Sequence, residues 1–511
     1  MVRGWTGART ERSPRWVGAG FAVAAVILIL PLWVAAVPAM PDYPAHLASY
    51  HLIAGEASRF YDIVWAPLPN LAGEILIPWA SGVMPLEVAA KIFLSLAVMF
   101  WVVGPALIQR ALYGRAGVTA LAAAVFAYNV NFMWGFLNYY FAAGLCLVLF
   151  GLWIGSAGLA RSLRLVLFSA ATLVLYFSHI LSAALFLLLV ASYEVTRRPV
   201  GWRDLMLELG ALGLPVAVLF VLRPEGGGVT KFKLLETLLE RFASLSQLHF
   251  GLPATFTLLA LGILFVFGLW RGIIHIHPRL RLTLIALGLL SLLVPETMMG
   301  GWGLHLRFPP VFAALLFAAS SVDRPRPVVS LAVLALLATT AAGFAGYSRA
   351  YSVQVAEFRQ SLRLLPTHSG LLTVIADGAG GRWTPIFLYW HIAEYTIPDR
   401  AGFTSLMFAT PGQHVVRLKP AIAAIAADTA KEGSPPNSKD LLLLQDGKPA
   451  PELWAYLSDY ACHYRHVALI EAKGQTAQVP QSFTLRHRGS FFTLYDVARP
   501  ADCPVMSAMR P

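Results

Sequence analysis

An aspartate stands in Met40-Pro41-Asp42-Tyr43-Pro44-Ala45-His46, directly after the first strongly apolar run of the chain. Residues Trp16 to Pro38 are long and apolar enough to span a bilayer. A carboxylate and an imidazole just past such a span, flanked by two prolines, lie at the membrane–water boundary. A base is wanted there when one reactant is dissolved in lipid and the other in water. Aspartate ahead of proline is also an ordinary helix start, with the carboxylate as cap, and the local sequence leaves both roles open.

The same loop adds His51, Glu56, Asp62 and Glu74. From Pro44 to Arg59 the pattern is helical and amphipathic, with Leu47, Tyr50, Ile53 and Ala54 on one side, so a helix lying in the membrane surface is expected. Asp42 and His46, four apart, would share a face at its start. Interfacial solvation is the alternative for His46 and His51. Asp62 reads as a turn residue and Glu74 as a buried partner ahead of an apolar stretch.

Three further segments carry polar groups of the same kind. Tyr128 to Tyr140 is dense in aromatics, which suit an interfacial belt. Its amides Asn129, Asn131 and Asn138, beside Tyr139, need partners at a span end, and sugar hydroxyls would serve. Loop 223–251 holds Arg223, Lys231, Lys233 and Arg241 among Glu225, Glu236 and Glu240. Binding a lipid phosphate would explain those cations, and a solvated amphipathic helix is the alternative. The loop Pro295 to Pro309 contains Glu296, His305 and Arg307. Arg307 opens a span, where arginine is costly unless paired, and its planar fork suits a phosphate or a carboxylate. Snorkelling to headgroups is the other account. His179, between two spans, is a candidate of the same sort.

The rest of the chain must position these groups. Of 511 residues 57% are hydrophobic and 13% charged, against about 25% charged in an average globular chain, and mean hydropathy is +0.64. This is the composition of a polytopic membrane protein with some soluble mass. The net charge of +12 is spread in small groups between apolar runs, which speaks for topology and against a nucleic-acid partner.

Apolar segments at about 17–39, 86–109, 116–131, 138–159, 163–178, 180–195, 205–222, 252–270, 281–295, 307–322 and 327–347 give about 11 spans by length, with 163–195 alternatively one re-entrant unit. With Arg3, Arg9, Arg12 and Arg15 on the cytoplasmic side, every second loop is also basic: Arg110/Arg115, Arg161/Arg164, Arg197/Arg198/Arg203, Arg271/Arg279/Arg281 and Arg324/Arg326. The opposite loops are longer, aromatic and rich in His, Asn, Glu, Pro and Gly, as a site on the non-cytoplasmic face would require. The N-terminal run reads as an uncleaved anchor.

The fold class expected is an all-α polytopic membrane domain, residues 1–347, followed by a soluble α/β domain, residues 348–511, on the non-cytoplasmic side. In the latter, Leu371–Ala376, His466–Ile470 and Phe492–Val497 read as strands, with helical patterns at 385–396 and 450–460 and a loop over Lys431–Asp440. Its most functional-looking residues are Trp390, His391, Glu394 and His414, with satisfied surface polar groups as the favoured reading. Cys146 lies in a span and reads as packing; Cys462 and Cys503 would be free to pair in an oxidising compartment.

This arrangement resembles the GT-C superfamily of membrane glycosyltransferases, which take sugar from polyprenyl-phosphate or polyprenyl-diphosphate donors on the non-cytoplasmic face. The resemblance rests on the anchor, the acid in Pro41-Asp42-Tyr43-Pro44-Ala45-His46, the in-plane helix after it, the many-span body with short cytoplasmic loops, and the late loop ending in His305-Leu306-Arg307 before a soluble domain. It covers about 1–350 as architecture. It implies that Asp42 is the base acting on the acceptor hydroxyl of an inverting transfer and that Arg307, with Lys231 or Lys233, clamps the donor phosphate. His46, Asn138, Tyr139, His179, Glu296 and His305 are the further substrate-binding candidates.

The chain departs from the family in having no Asp-x-Asp or Glu-x-Asp in the first loop and no acid in 129–138. No cofactor, and no metal or only a weakly held divalent one, is therefore expected. The implied partners are a polyprenyl-phosphate sugar, an envelope glycan or lipid acceptor and membrane lipids, in a bacterial-type inner membrane. Two other readings compete: a transporter or flippase for a lipid-linked saccharide, and a non-catalytic assembly protein. The near absence of mid-span charge argues against an ion-coupled carrier.

Overall fold

The computed structural model describes residues 15–55, 58–197, 201–224, 229–245, 252–322, 326–377, 385–427, 434–448, 456–471, 477–501 and 503. Arg3, Arg9, Arg12, Glu56, Arg198, Glu225 and Arg324 lie outside the described residues.

Among the described residues seven helices are long and apolar enough to cross a bilayer: α1 (Arg15–Val34), α4 (Leu86–Tyr113), α5 (Leu137–Gly155), α6 (Arg161–Ser178), α7 (Ile180–Arg197), α8 (Trp202–Leu222) and α11 (Pro327–Leu362). Between α1 and α4 lie two shorter helices, α2 (Tyr43–Ala54) and α3 (Ala72–Ser81). Ahead of α11 come α9 (Arg281–Leu293) and α10 (Leu304–Ala318).

Seven of the expected eleven spans thus qualify among the described residues, and the expected span at 252–270 is a further apolar helix, Leu252–Trp270. The segment at 118–134 is divided into two five-residue α-helices around a 3₁₀ turn, and α9 and α10 are 13 and 15 residues long. Helical length therefore does not establish the count of eleven. The stretch 163–195 forms two helices that break at His179.

Helices α4 and α5 cross in close contact. A side chain on Gly151 would stand 2.8 Å from the backbone nitrogen of Ile108, so this crossing needs a residue without a Cβ. Helix α11 runs unbroken through the boundary placed at 347/348, because Arg349, Gln354, Glu357 and Arg359 continue the helix after the apolar run ends.

Beyond α11 the chain builds a five-stranded sheet: β1 (Gly370–Ile375), β2 (Phe403–Thr404), β3 (His466–Ile470), β4 (Phe483–Arg488) and β5 (Phe492–Val497). Its order is β4-β5-β3-β1-β2. Strand β1 runs parallel to β2 and β3, with Leu371 opposite His466, and the β3-β5-β4 edge is antiparallel. Strands β1 and β3 are buried at every position, as continuous apolar runs covered on both faces should be. The helical pattern at 385–396 becomes two 3₁₀ turns, Pro385–Tyr389 and Ile392–Tyr395, and a short helix, Thr396–Arg400. Of 450–460 only residues 456–460 are described, and the loop at Lys431–Asp440 is described from Ser434, with a helix beginning at Ser438. Cys462 and Cys503 form a disulfide, while Cys146 is free and buried.

The two halves share one continuous apolar core. They are also joined through the main chain: Tyr61–Ile63 of the first loop pairs antiparallel with Val416–Leu418, Tyr61 opposite Leu418.

Candidate active site

The chain leaving α1 is pinned at each step toward Asp42. Lys91 donates to the carbonyl of Ala35 at 2.7 Å. Ser352 and Ser348 of α11 accept from the backbone N–H groups of Val37 and Ala39. The N–H of Asp42 donates to the carbonyl of Trp134 at 3.1 Å. Gly135, at φ +87°, lets that backbone approach, since a Cβ there would lie 3.3 Å from the Asp42 Cβ.

Asp42 occupies the N-cap position of α2, yet its carboxylate makes no capping hydrogen bond. The side chain instead faces a cavity of about 840 Å³ between the membrane half and the tail. Burial raises its pKa to about 6, partly offset by the positive charges of His391 and Arg307.

Asp42, His46, Asn138, Tyr139, His179, Lys231, Lys233, Glu296 and Arg307 all line this one cavity. The structure thus brings together nine of the ten side chains singled out in the sequence. His305 is the exception. It is wholly buried and turned away, its Nε2 2.8 Å from Glu240.

Arg307 lies in the first turn of α10, where the hairpin Thr297–Met298/Gly301–Trp302 delivers it. Its Nη1 donates to Nε2 of His179 at 2.9 Å and its Nη2 to the carbonyl of Trp302, while Nε has no partner. The guanidinium lies 4.9 Å from the ring of Phe136 and 5.2 Å from that of Tyr139, whose hydroxyl donates to the Arg307 carbonyl. Among the described residues no carboxylate forms an ion pair with Arg307.

Lys231 and Lys233 sit at the exposed rim. The backbone of Lys231 pairs with Thr297, and Lys233 lies 3.5 Å from the buried Glu296, which also accepts from Trp302 Nε1. Arg223 extends the basic rim.

The three amides read as sugar ligands are engaged by the protein itself. Asn129 caps the short helix Val130–Trp134, and Asn131 donates to the carbonyl of Leu306. Asn138 donates to the Asn70 carbonyl and to Glu74 Oε2 at 2.7 Å, and accepts from the N–H of Gly73. Although it borders the cavity, its polar atoms are already satisfied.

The tail contributes what the sequence reading set aside. Trp390, His391, Phe408, Thr410, Gln413 and His414 line the cavity, and His391 and Glu394 are buried, so the expectation of surface polar groups is corrected. Phe408 packs edge-on to His46 and His391 and stacks on His414. Burial pushes His46 down to about 3 and His414 to about 4, so both are neutral at physiological pH. On the opposite wall Trp134 packs against Trp302 at 4.9 Å and Phe387 at 4.6 Å.

This arrangement can accept a proton at Asp42, hold an anion at Arg307 and the rim lysines, and flank a sugar ring with aromatic faces.

No protein-family model matches the chain, and no curated protein matches it in sequence. Among solved structures it is similar to ArnT from Cupriavidus metallidurans, bound to undecaprenyl phosphate, with a TM-score of 0.50 and 13% identity over 97% of this chain and 99% of that one. It is also similar to the arabinofuranosyltransferase AftD from Mycobacteria, with a TM-score of 0.49 and 15% identity over 97% of this chain and 40% of that one. The likeness to ArnT shows the fold: a helical membrane body carrying a small sheet domain.

Proposed function

We propose that this chain is a membrane glycosyltransferase that moves a sugar, with inversion, from a polyprenyl-phosphate donor to a glycan or lipid acceptor of the cell envelope. One observation carries the reading. A carboxylate that makes no capping hydrogen bond and a guanidinium with no carboxylate partner among the described residues line the same cavity. The acceptor hydroxyl gives its proton to Asp42 as its oxygen bonds to the anomeric carbon. The bond from that carbon to the phosphate oxygen breaks, its electron pair leaves with the phosphate, and Arg307 with Lys231 and Lys233 takes up the charge. ArnT holding undecaprenyl phosphate on the same fold supports a lipid-phosphate donor here.

Among the described residues no three His, Cys, Asp or Glu side chains are grouped to hold a metal ion. The proposal gives the stabilisation of the leaving phosphate to arginine and lysine. In this reading the site works on the non-cytoplasmic side of a bacterial-type inner membrane, with the N-terminus cytoplasmic. The basic alternate loops and the Cys462–Cys503 disulfide, which suits an oxidising compartment, support that placement.

The test is reconstitution in proteoliposomes with a panel of labelled polyprenyl-phosphate sugars and envelope glycan and lipid acceptors. Labelled acceptor and free polyprenyl phosphate should appear in equal amounts. Movement of the intact lipid-linked sugar across the bilayer without transfer would replace this reading with the carrier.

A further inference from the structure

His391 and Glu394 lie in the tail, yet both are buried against the first membrane loop. Glu394 is wholly enclosed. Its Oε1 lies 3.1 Å from Nδ1 of His391, and its Oε2 has no hydrogen-bond partner. A carboxyl group so enclosed needs a hydrogen-bond partner, and Nδ1 of His391 is in reach of it. With Nδ1 donating there, the opposite nitrogen, Nε2, is directed toward Asp42. That nitrogen stands 4.0 Å from Asp42 Oδ1, a gap of the kind that tightens when substrate fills a site. The Phe408 ring, 4.8 Å from the His391 ring, closes one side of the pair.

We propose that His391, oriented by Glu394, is a positioning residue whose imidazolium holds the Asp42 carboxylate ionised and aimed into the cavity. The role rests on the reading of Asp42 as the base. The soluble domain then completes the site, with a charge chain running Glu394–His391–Asp42.

The other ionisable groups around the chain fit this role. Asp42 also faces Arg307, which favours its ionisation, and the negative charge of Glu394, which opposes it; His46 follows one turn along α2. His391 faces His46, which is neutral, as is His414 behind it. Glu394 has Tyr61 and Tyr351 within electrostatic reach, and burial keeps Tyr61 uncharged at physiological pH. His391 is therefore the imidazole of this cluster whose neighbours favour its charged form. Burial works against its proton, but Glu394 and Asp42 together lift its pKa above the ordinary value.

The test reads Asp42 directly, by difference infrared titration of isotope-labelled aspartate in the full-length protein, with the Asp42→Asn spectrum subtracted. In His391→Gln the midpoint should rise by about one pH unit, a tenfold change in proton affinity. The acidic limb of kcat should move with it while KM for the donor holds. An unmoved midpoint, or a loss of activity that is equal at every pH, would overturn the proposal.

Should His391→Gln fail to fold, Glu394→Gln keeps the shape. It should lower the midpoint at which isotope-labelled His391 takes up its proton, and an unchanged midpoint there would equally overturn the role. The spectroscopic readings need no turnover. A shift as expected in a protein that transfers no sugar would sink the glycosyltransferase reading alone; transfer with an unmoved midpoint would sink the positioning role alone.

Discussion

Arg307 Nη1 donates to Nε2 of His179 at 2.9 Å. A guanidinium only donates, so His179 must be neutral and accepting at that nitrogen, and it orients the arginine without cancelling its charge. The guanidinium remains a whole positive charge whose Nε is still unpartnered.

It follows that Arg307→Lys should lower kcat/KM for the donor by about a hundredfold, since a point charge replaces a planar fork held by His179, Trp302 and two aromatic rings. Steady-state kinetics on reconstituted protein measure this. Activity within threefold of wild type would remove Arg307 as the phosphate group's partner.

Asn138→Ala should act on stability more than on chemistry. It strands the buried Glu74 carboxyl, which burial has already raised to about 7, and the N–H of Gly73. A cost of about 1–3 kcal/mol is expected, seen as a lower thermal midpoint in detergent with KM for both substrates little changed. A raised KM at an unchanged midpoint would make Asn138 a substrate ligand after all.

With Asp42 at about 6, the base is ready above that pH and protonated below it. Transfer should therefore fall as pH drops through about 6, tenfold per unit once well below, and Asp42→Glu should keep such a limb. A rate flat from pH 5 to pH 8, with chemistry rate-limiting, would separate Asp42 from the proton transfer.

Cys462 and Cys503, as a disulfide on the external side, should resist a membrane-impermeant maleimide on intact cells until a reductant is added. Labelling without reductant would deny the bond. No labelling in either state, with the tail accessible after lysis, would place the domain in the cytoplasm.

The sequence makes the membrane half of the site readable because hydropathy marks where spans end, and polar groups at those ends have few other duties. Asp42, His179 and Arg307 are singled out that way and line one cavity. The same logic misleads at Asn129, Asn131 and Asn138: interrupted helices leave backbone groups that amides satisfy, and nothing local distinguishes such an amide from a sugar ligand. His305 misleads likewise, since its partner Glu240 lies far away in the chain.

The tail's share stays hidden for a different reason. Glu394 lies in a short 3₁₀ turn and His391 just ahead of it, without amphipathic period, and both are buried by contacts far away in the chain. No short-range pattern encodes those contacts. The short helices α9 and α10 and the divided segment at 118–134 show the matching limit for spans: apolar runs are visible in sequence, their helical length is not.

The most direct measurement compares wild type with Asp42→Asn for transfer of labelled sugar from polyprenyl-phosphate donors in proteoliposomes, after confirming equal insertion and thermal midpoint. The account predicts transfer by wild type and a loss of about a thousandfold or more in the isosteric variant, which keeps the shape and removes the base. Equal transfer by both proteins would contradict it.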